Sequence, residues 1–289
     1  MGKGLSVPRD FRTTWRCWTR RPDLAIWLER ASRLGYAARG LVYLGLGALL
    51  LLAAVDLVPR AHGTKVMLAA WAEWPLGLLL IGLVGCGLTG FALWRVLQAL
   101  FDADRHGTSP KGLAVRVGQA ISGLVYGGLA LSAFELLDAV EDVGEADEEQ
   151  KARGLASSLL VLPYGDLLLM LAGLVMLGVG LGNIIQGVAR DFAKRLGCGP
   201  RLCRRIVPLA RIGYGARGLA MLPAGYFLFK AGLEAKSADA RSWGGALQTI
   251  ELQPFGSAVL ALLALGLVAF GLFALAEALF RRIHTDAVV

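Results

Sequence analysis

The sequence predicts an all-α membrane protein: six transmembrane helices as three parallel two-helix repeats with a pseudo-threefold arrangement, plus an N-terminal interfacial amphipathic helix. Three observations support this fold class: apolar blocks of bilayer length, an uneven distribution of arginine and lysine, and a motif that occurs three times. The composition agrees. Of the 289 residues, 56% are hydrophobic and the mean hydropathy is +0.58, as is typical of membrane proteins.

The apolar blocks define the predicted spans. A helix needs about 20 apolar residues to cross the hydrocarbon layer of about 30 Å, and each block reaches that length. The blocks cover residues 35–55, 76–101, 117–137, 164–188, 213–233 and 255–280. The first 33 residues carry eight basic side chains and no apolar run, so we expect no cleavable signal peptide.

The basic residues are concentrated on one side of this topology. Twenty of the 30 lie before residue 34, in 102–116, in 189–211 and after residue 280, whereas the alternate connections hold six. Because cytoplasmic loops of membrane proteins carry excess arginine and lysine, we expect both the N and C termini in the cytoplasm. The net charge of +8 is thereby explained without a nucleic acid partner.

Before the first span, the segment PDLAIWLERASRL (22–34) has an apolar helical face. With arginines beside that face, the segment predicts an interfacial helix on anionic lipid headgroups at the cytoplasmic face. The alternative is that its apolar face packs on the cytoplasmic loops of the bundle.

The odd-numbered spans open with one repeated motif. The three copies are RLGYAARGLVYLGLG (33–47), RVGQAISGLVYGGLA (116–130) and RIGYGARGLAMLPAG (211–225). Each has an Arg-x-Gly opening and a second glycine followed by leucine, and these second glycines are Gly40, Gly123 and Gly218. Such repeats are the strongest sequence signal of architecture.

The even-numbered spans also open alike, with WPLG (74–77), LPYG (162–165) and QPFG (253–256). Two helices per copy return the chain to the same side, so the copies are parallel and related by an axis along the membrane normal. We divide the chain into a basic N-terminus with the interfacial helix and three repeats, the last with a short cytoplasmic tail. The boundaries are 1–29, 30–107, 108–200 and 201–289.

The triplicated R-x-G-Y-x-A-R-G-L opening, with GALQTIELQPFG before the last span, resembles the bacterial domain-of-unknown-function 1206 membrane proteins. The resemblance covers residues 30–282 and is degraded in copy two, where Gln119 and Ser122 replace tyrosine and arginine. It implies a six-helix architecture in the bacterial inner (plasma) membrane and no established activity.

Arginines inside the spans are the main candidate site. Arg39 lies six residues beyond Arg33, about 9 Å deeper at the helical rise, and Gln98 lies at similar depth on the next span. The same arithmetic pairs Ser122 with Gln186 and Arg217 with Glu277. We therefore predict a polar clamp within each hairpin, because intramembrane ionisable groups usually face the bundle and find partners. The alternative is that the arginines extend to the cytoplasmic headgroups.

Glu135 and Lys230 are a second candidate pair. Each lies 19 residues after the first arginine of its copy, near the outer end of its span. If the odd helices line the axis, the two would meet at the outer mouth. The alternative is that each side chain reaches water independently.

No motif indicates an enzyme. His62, His106 and His284 lie in loops or the tail, and neither a nucleophile motif nor metal-ligand spacing is present, so we expect no catalytic, cofactor or metal site. Cys198 and Cys203 fall in a cytoplasmic loop, where we expect free thiols.

Two function classes remain open. The first is a non-catalytic membrane scaffold or partner subunit, in contact with the lipid bilayer and with another membrane protein. The second is a small channel or transporter with a pathway along the pseudo-threefold axis. A water-accessible axis would favour transport, and a dry centre packed by glycine would favour the scaffold.

Overall fold

The computed structural model shows helices joined by short connections. It describes residues 22–57, 64–72, 74–102, 107–138, 145–189, 191–193 and 196–281. The basic N-terminus before residue 22 and the tail after Arg281 lie outside the described residues.

The helices follow the predicted order, with a short helix before each even-numbered span. They are α1 (Pro22–Ala54), α2 (Thr64–Ala72), α3 (Gly77–Phe101), α4 (Pro110–Asp138), α5 (Glu145–Leu160), α6 (Gly165–Ala189), α7 (Pro200–Leu233), a 3-10 turn (Ser237–Asp239), α8 (Trp243–Glu251) and α9 (Gly256–Phe280). The only β-type pairing in the described part is an isolated bridge between Leu196 and Arg281. The all-α fold class is thus confirmed.

Five helical segments are long and apolar enough to cross a membrane. They are Glu29–Ala54, Gly77–Phe101, Pro110–Leu137, Gly165–Ala189 and Gly256–Phe280. The predicted span 213–233 lies within α7, which is not among these five described segments. Helix α7 has Pro208 and Pro223 inside it and Lys230 in its last turn. The chain is a multi-pass membrane protein.

The segment predicted as an interfacial helix is continuous with the first span, since α1 runs without a break from Pro22 to Ala54. Arg33, at the predicted junction, forms an ion pair of 2.7 Å with Glu29 one turn earlier. It also donates to the carbonyl oxygens of Ala278 (2.8 Å) and Leu279 (3.0 Å) at the end of α9. These contacts fix the first part of α1 against the end of α9.

The closest helix contacts join neighbouring repeats. Helix α9 packs along α1, α3 along α4, and α6 along α7. The repeated second glycine lies at each of these crossings, where a Cβ on it would meet a backbone carbonyl oxygen of the even helix. The pairs are Gly40 with Gly271, Gly123 with Ala92, and Gly218 with Gly180. The three glycines therefore allow close packing of backbones, as predicted.

Within a repeat, the two spans pack together in only two of three cases. Helix α1 packs on α3 and α7 packs on α9, whereas α4 and α6 are not packed along each other. The described helices therefore follow the order α4, α3, α1, α9, α7, α6 from neighbour to neighbour. The opening between α4 and α6 is called the seam below.

The glycine of each Pro-x-Gly motif also has a structural role. A Cβ atom at Gly77, Gly165 or Gly256 would overlap a backbone carbonyl oxygen of the short helix before it. In two of the motifs the preceding residue, Tyr164 or Phe255, has positive φ. The chain thus makes a sharp turn from each short helix into the following span.

Cys198 and Cys203 form a disulfide, with their Cα atoms 5.7 Å apart. The expectation of free thiols was wrong for this structure. It rested on the compartment alone, whereas the turn into α7 brings the two sulfur atoms together. The cysteine left free in the described part, Cys86, is exposed.

Candidate functional site: a buried arginine cluster

Four arginines and one glutamate meet inside the bundle. They are Arg39 on α1, Arg95 on α3, Arg217 on α7, and Glu277 and Arg281 at the end of α9, called the arginine cluster below. Long-range packing of α9 against both α1 and α7 brings these residues together from the first and third repeats.

Arg39 is the centre of the cluster, with 0% of its surface exposed. Its Nη2 donates to Glu277 Oε2 at 2.5 Å. Arg281 Nη1 donates to the other oxygen of the same carboxylate at 2.6 Å. Removing one partner from a buried ion pair costs about 3–5 kcal/mol, since the other charge is left unpaired. The pair therefore ties α1 to α9.

Aromatic rings surround the Arg39 guanidinium. Its carbon Cζ lies 5.0 Å from the centre of the Phe91 ring and 5.1 Å from those of Tyr36 and Phe270. A desolvated cation over an aromatic face gains about 2 kcal/mol. The rings thus stabilise a charge that the single carboxylate does not fully neutralise.

Arg217, the equivalent residue of copy three, has a different environment. Its Cζ lies 5.1 Å from the Phe270 ring, 5.4 Å from Tyr43 and 5.9 Å from Tyr126. The residue is partly exposed. In the described part of the chain, its Nε has no hydrogen-bond partner, and Glu277 bonds Arg39 and Arg281 instead.

The predicted pairing within each hairpin is therefore corrected for Arg39 and Arg217. Arg39 bonds Glu277 of the last repeat, and Gln98 accepts a hydrogen bond from Arg95 (3.3 Å). The physical reason is that α9 packs closely on α1, so the acid at matching depth comes from the neighbouring repeat. Ser122 and Gln186 lie on α4 and α6, which are not packed along each other.

The structure does not bring Glu135 and Lys230 together. Glu135 is exposed, whereas Lys230 Nζ lies 3.3 Å from Asp239 and 3.6 Å from Glu234. The hydrogen bond from Lys230 holds the pKa of the Asp239 carboxyl below its ordinary value. Lys230 is thus paired with acids that follow it in its own repeat.

Sequence reasoning missed Arg95 and Arg281. A signal for Arg95 was present, because it lies within the span 76–101, three residues before Gln98. Arg281 follows the last span, in the segment that the sequence predicts as the basic tail, although it is only 8% exposed.

The arginine cluster has more cations than acids. Several guanidinium nitrogens are buried without a hydrogen-bond partner in the described part: Nε and Nη1 of Arg39 and Nε of Arg95 and Arg217. A buried donor left unpaired costs about 1–3 kcal/mol. The arrangement therefore suits an anion better than a cation.

Known proteins place the chain in one family. The sequence profile of "Domain of Unknown Function (DUF1206)" matches residues 34–102, 117–190 and 212–281. The uncharacterized protein YxxB of Bacillus subtilis (strain 168) is 31% identical over 260 residues, which cover 89% of this chain and 92% of that protein. No solved structure matches. Three family repeats and this relative show that the chain belongs to the DUF1206 family.

Proposed function

We propose that this protein is a non-catalytic scaffold or partner subunit of the bacterial plasma membrane, with six spans around a packed pseudo-threefold centre. Both termini face the cytoplasm. Its partners are the lipid bilayer, anionic headgroups at the cytoplasmic face and another membrane protein. The observation that carries this proposal is the complete burial of Arg39 among aromatic rings, where α1, α3 and α9 meet.

The packing of α7 supports a sixth span. Backbone atoms of α6 and α7 approach closely at Gly187 beside Arg211, at Gly180 beside Gly218 and at Gly173 beside Phe229. These contacts follow nearly the whole length of α6, which is itself a candidate span. A helix packed along a span for that distance crosses the same layer.

The repeated crossings support the pseudo-threefold arrangement. Gly40, Gly123 and Gly218 occupy the same position in the three motifs, and each meets the even helix of another repeat: the third for Gly40, the first for Gly123 and the second for Gly218. The interface between repeats is thus of one type. Its glycines pack the helices closely, and the Arg39–Glu277 pair closes the interface between the last repeat and the first.

A channel or transporter for anions is the second candidate. The observation that favours it is the excess of guanidinium groups over carboxylates in the arginine cluster, since basic side chains select anions in pores. The packing around Arg39 counts against an open path, because its side chain has 0% exposure and rings lie against it.

Flux measurement separates the two candidates. The purified full chain would be reconstituted in liposomes, and chloride and potassium flux would be followed with ion-sensitive dyes. We expect no flux above that of empty liposomes. Flux that requires Arg217, and is lost in Arg217→Gln but kept in the matched variant Arg201→Gln at the start of α7, would replace the scaffold with the transport function.

A further inference from the structure

The seam arises from an identifiable difference between the repeats. In repeats one and three, a glycine at the hairpin crossing faces an alanine: a Cβ at Gly87 would lie 2.5 Å from the Ala38 Cβ, and Gly266 meets Ala216 even more closely. Aligned on the same motifs, repeat two has Val175 and Ile121 at these positions. Two branched side chains prevent the backbones from approaching so closely.

A second set of equivalent residues shows the same difference between repeat two and the other two repeats. Gly35 and Gly213 lie against the backbone of Phe91 and Phe270, whereas a Cβ at Gly118 would have nothing within 4 Å. The ring itself is missing from repeat two, which has Val179 where the others have phenylalanine. The helices beside the seam are the least buried of the five candidate spans, at 28% and 22% against 44–56% for the others. The seam is therefore open to the surroundings of the helices.

Arg217 lies where the seam reaches the arginine cluster. It belongs to α7, which packs on α6, and its guanidinium extends to Tyr126 of α4 (5.9 Å). It thus lies between the helices that border the seam. Unlike Arg39, which is fully buried, Arg217 is partly exposed and forms no ion pair with the carboxylate of the cluster.

Charge and polarity identify the occupant. The seam is bordered by two apolar spans that expose aliphatic side chains at or one turn from the crossing positions, such as Val175 (39%) and Val125 (58%), and its polar end holds an unneutralised guanidinium. An anionic phospholipid has both complementary parts, acyl chains and a phosphate, and guanidinium binds phosphate through paired hydrogen bonds. We propose that the seam binds one anionic phospholipid, with its phosphate on Arg217 and its acyl chains between α4 and α6.

The depth of Arg217 along its helix is consistent with a phosphate site. Arg217 lies six residues beyond Arg211, about 9 Å along the helix, on the side where basic residues indicate the cytoplasmic surface. Arginine and phosphate groups approach each other across such distances through the long side chain and local thinning of the bilayer. The site is distinct from headgroup contacts at the protein surface and goes beyond the scaffold function.

Native mass spectrometry of the full chain, released from nanodiscs that contain equal phosphatidylglycerol and phosphatidylcholine, tests the proposal. We expect one retained phosphatidylglycerol per chain. Arg217→Gln should reduce retention at least tenfold and Arg217→Lys should restore part of it. The matched variant Lys230→Gln, at the other end of α7, should retain the lipid.

A second variant closes the seam without touching the arginine. Ile121→Ala with Val175→Gly installs the crossing of the other repeats and should also abolish retention, so the test stands if Arg217→Gln fails to fold. Equal retention of both lipids, or retention that survives both changes, would overturn the proposal. So would stabilisation by inorganic phosphate without retained lipid, which indicates an ion site, or a dimer cross-linked through α4 and α6, which indicates a second copy as occupant.

Discussion

Arg39 and Glu277 are 238 residues apart in the sequence and form a buried ion pair. The pair joins the first repeat to the last. Because Glu277 also accepts from Arg281, its two oxygens are both occupied by charged donors. The triad is an anchor between α1 and the end of α9.

The anchor predicts strong coupling between its members. Arg39→Met and Glu277→Gln should each lower the free energy of unfolding by about 3–5 kcal/mol, because the first leaves one buried carboxylate oxygen without its charged donor and the second leaves two buried guanidinium groups without their counter-charge. The double variant should be less destabilised than the sum, with a coupling of about 0.5–3 kcal/mol. Unfolding in detergent, followed by circular dichroism, measures all four stabilities.

A second double-mutant cycle, built on Arg217 in place of Arg39, provides the matched comparison. Arg217→Met combined with Glu277→Gln should show a clearly smaller coupling, because the carboxylate bonds Arg39 and Arg281 and not Arg217. A larger coupling for Arg217 than for Arg39 would restore the pairing within the third hairpin and contradict the structure.

The hairpin crossings predict different effects of one substitution at two glycines. Gly87→Val should cost about 1–3 kcal/mol through overpacking, since its Cβ would lie 2.5 Å from that of Ala38. Gly118→Val has open space around it and should change stability by about 0.5 kcal/mol or less. Thermal unfolding of the two variants in the same detergent checks this, and equal destabilisation would mean that the repeat-two hairpin is closed.

Much of the fold was predictable because it depends on periodic features of the sequence. Apolar length predicted the five segments that qualify as spans, and the motif alignment predicted that Gly40, Gly123 and Gly218 are equivalent, in agreement with their common contacts. The sequence did not indicate that the amphipathic segment continues into the first span, which it does because nothing breaks the helix. The contacts of Arg33 that favour the continuous helix are 245 or more residues distant in sequence.

The site was predictable in three of its five residues, without Arg95 and Arg281, but not in its pairs. Depth arithmetic identified Arg39 and Glu277 as intramembrane polar groups, yet assigned each to its own hairpin. Depth fixes a residue along the membrane normal and leaves open which neighbouring helix faces it. Which helix supplies the partner depends on how helices of different repeats pack. Here α9 packs closely on α1 because small residues such as Gly40 and Gly271 lie at their contact.

The Lys230–Asp239 pair predicts a pH dependence. The lysine holds the pKa of Asp239 below its ordinary value, so the pair stabilises the fold above the unfolded-state pKa of about 3.9. That contribution is lost as the pH falls through the folded-state pKa. Carbon-13 NMR titration should show a higher Asp239 pKa in Lys230→Met than in the parent, and Lys111→Met, at the start of α4, provides the control. The same pKa in parent and Lys230→Met would show that the pair does not form in solution.

The Cys198–Cys203 pair provides a test of topology. The segment 189–211 carries seven basic residues and is expected in the cytoplasm, where thiols stay reduced, although the structure joins the two sulfur atoms. In a chain with Cys17→Ser and Cys86→Ser, we expect both thiols to react with a maleimide reagent after acid trapping of cells. Purification without reductant should then block both, because the turn positions the sulfurs for oxidation.

With Cys198→Ser added, Cys203 should react in both samples. A pair already oxidised in trapped cells would place this segment outside the cytoplasm and invert the proposed orientation of all spans.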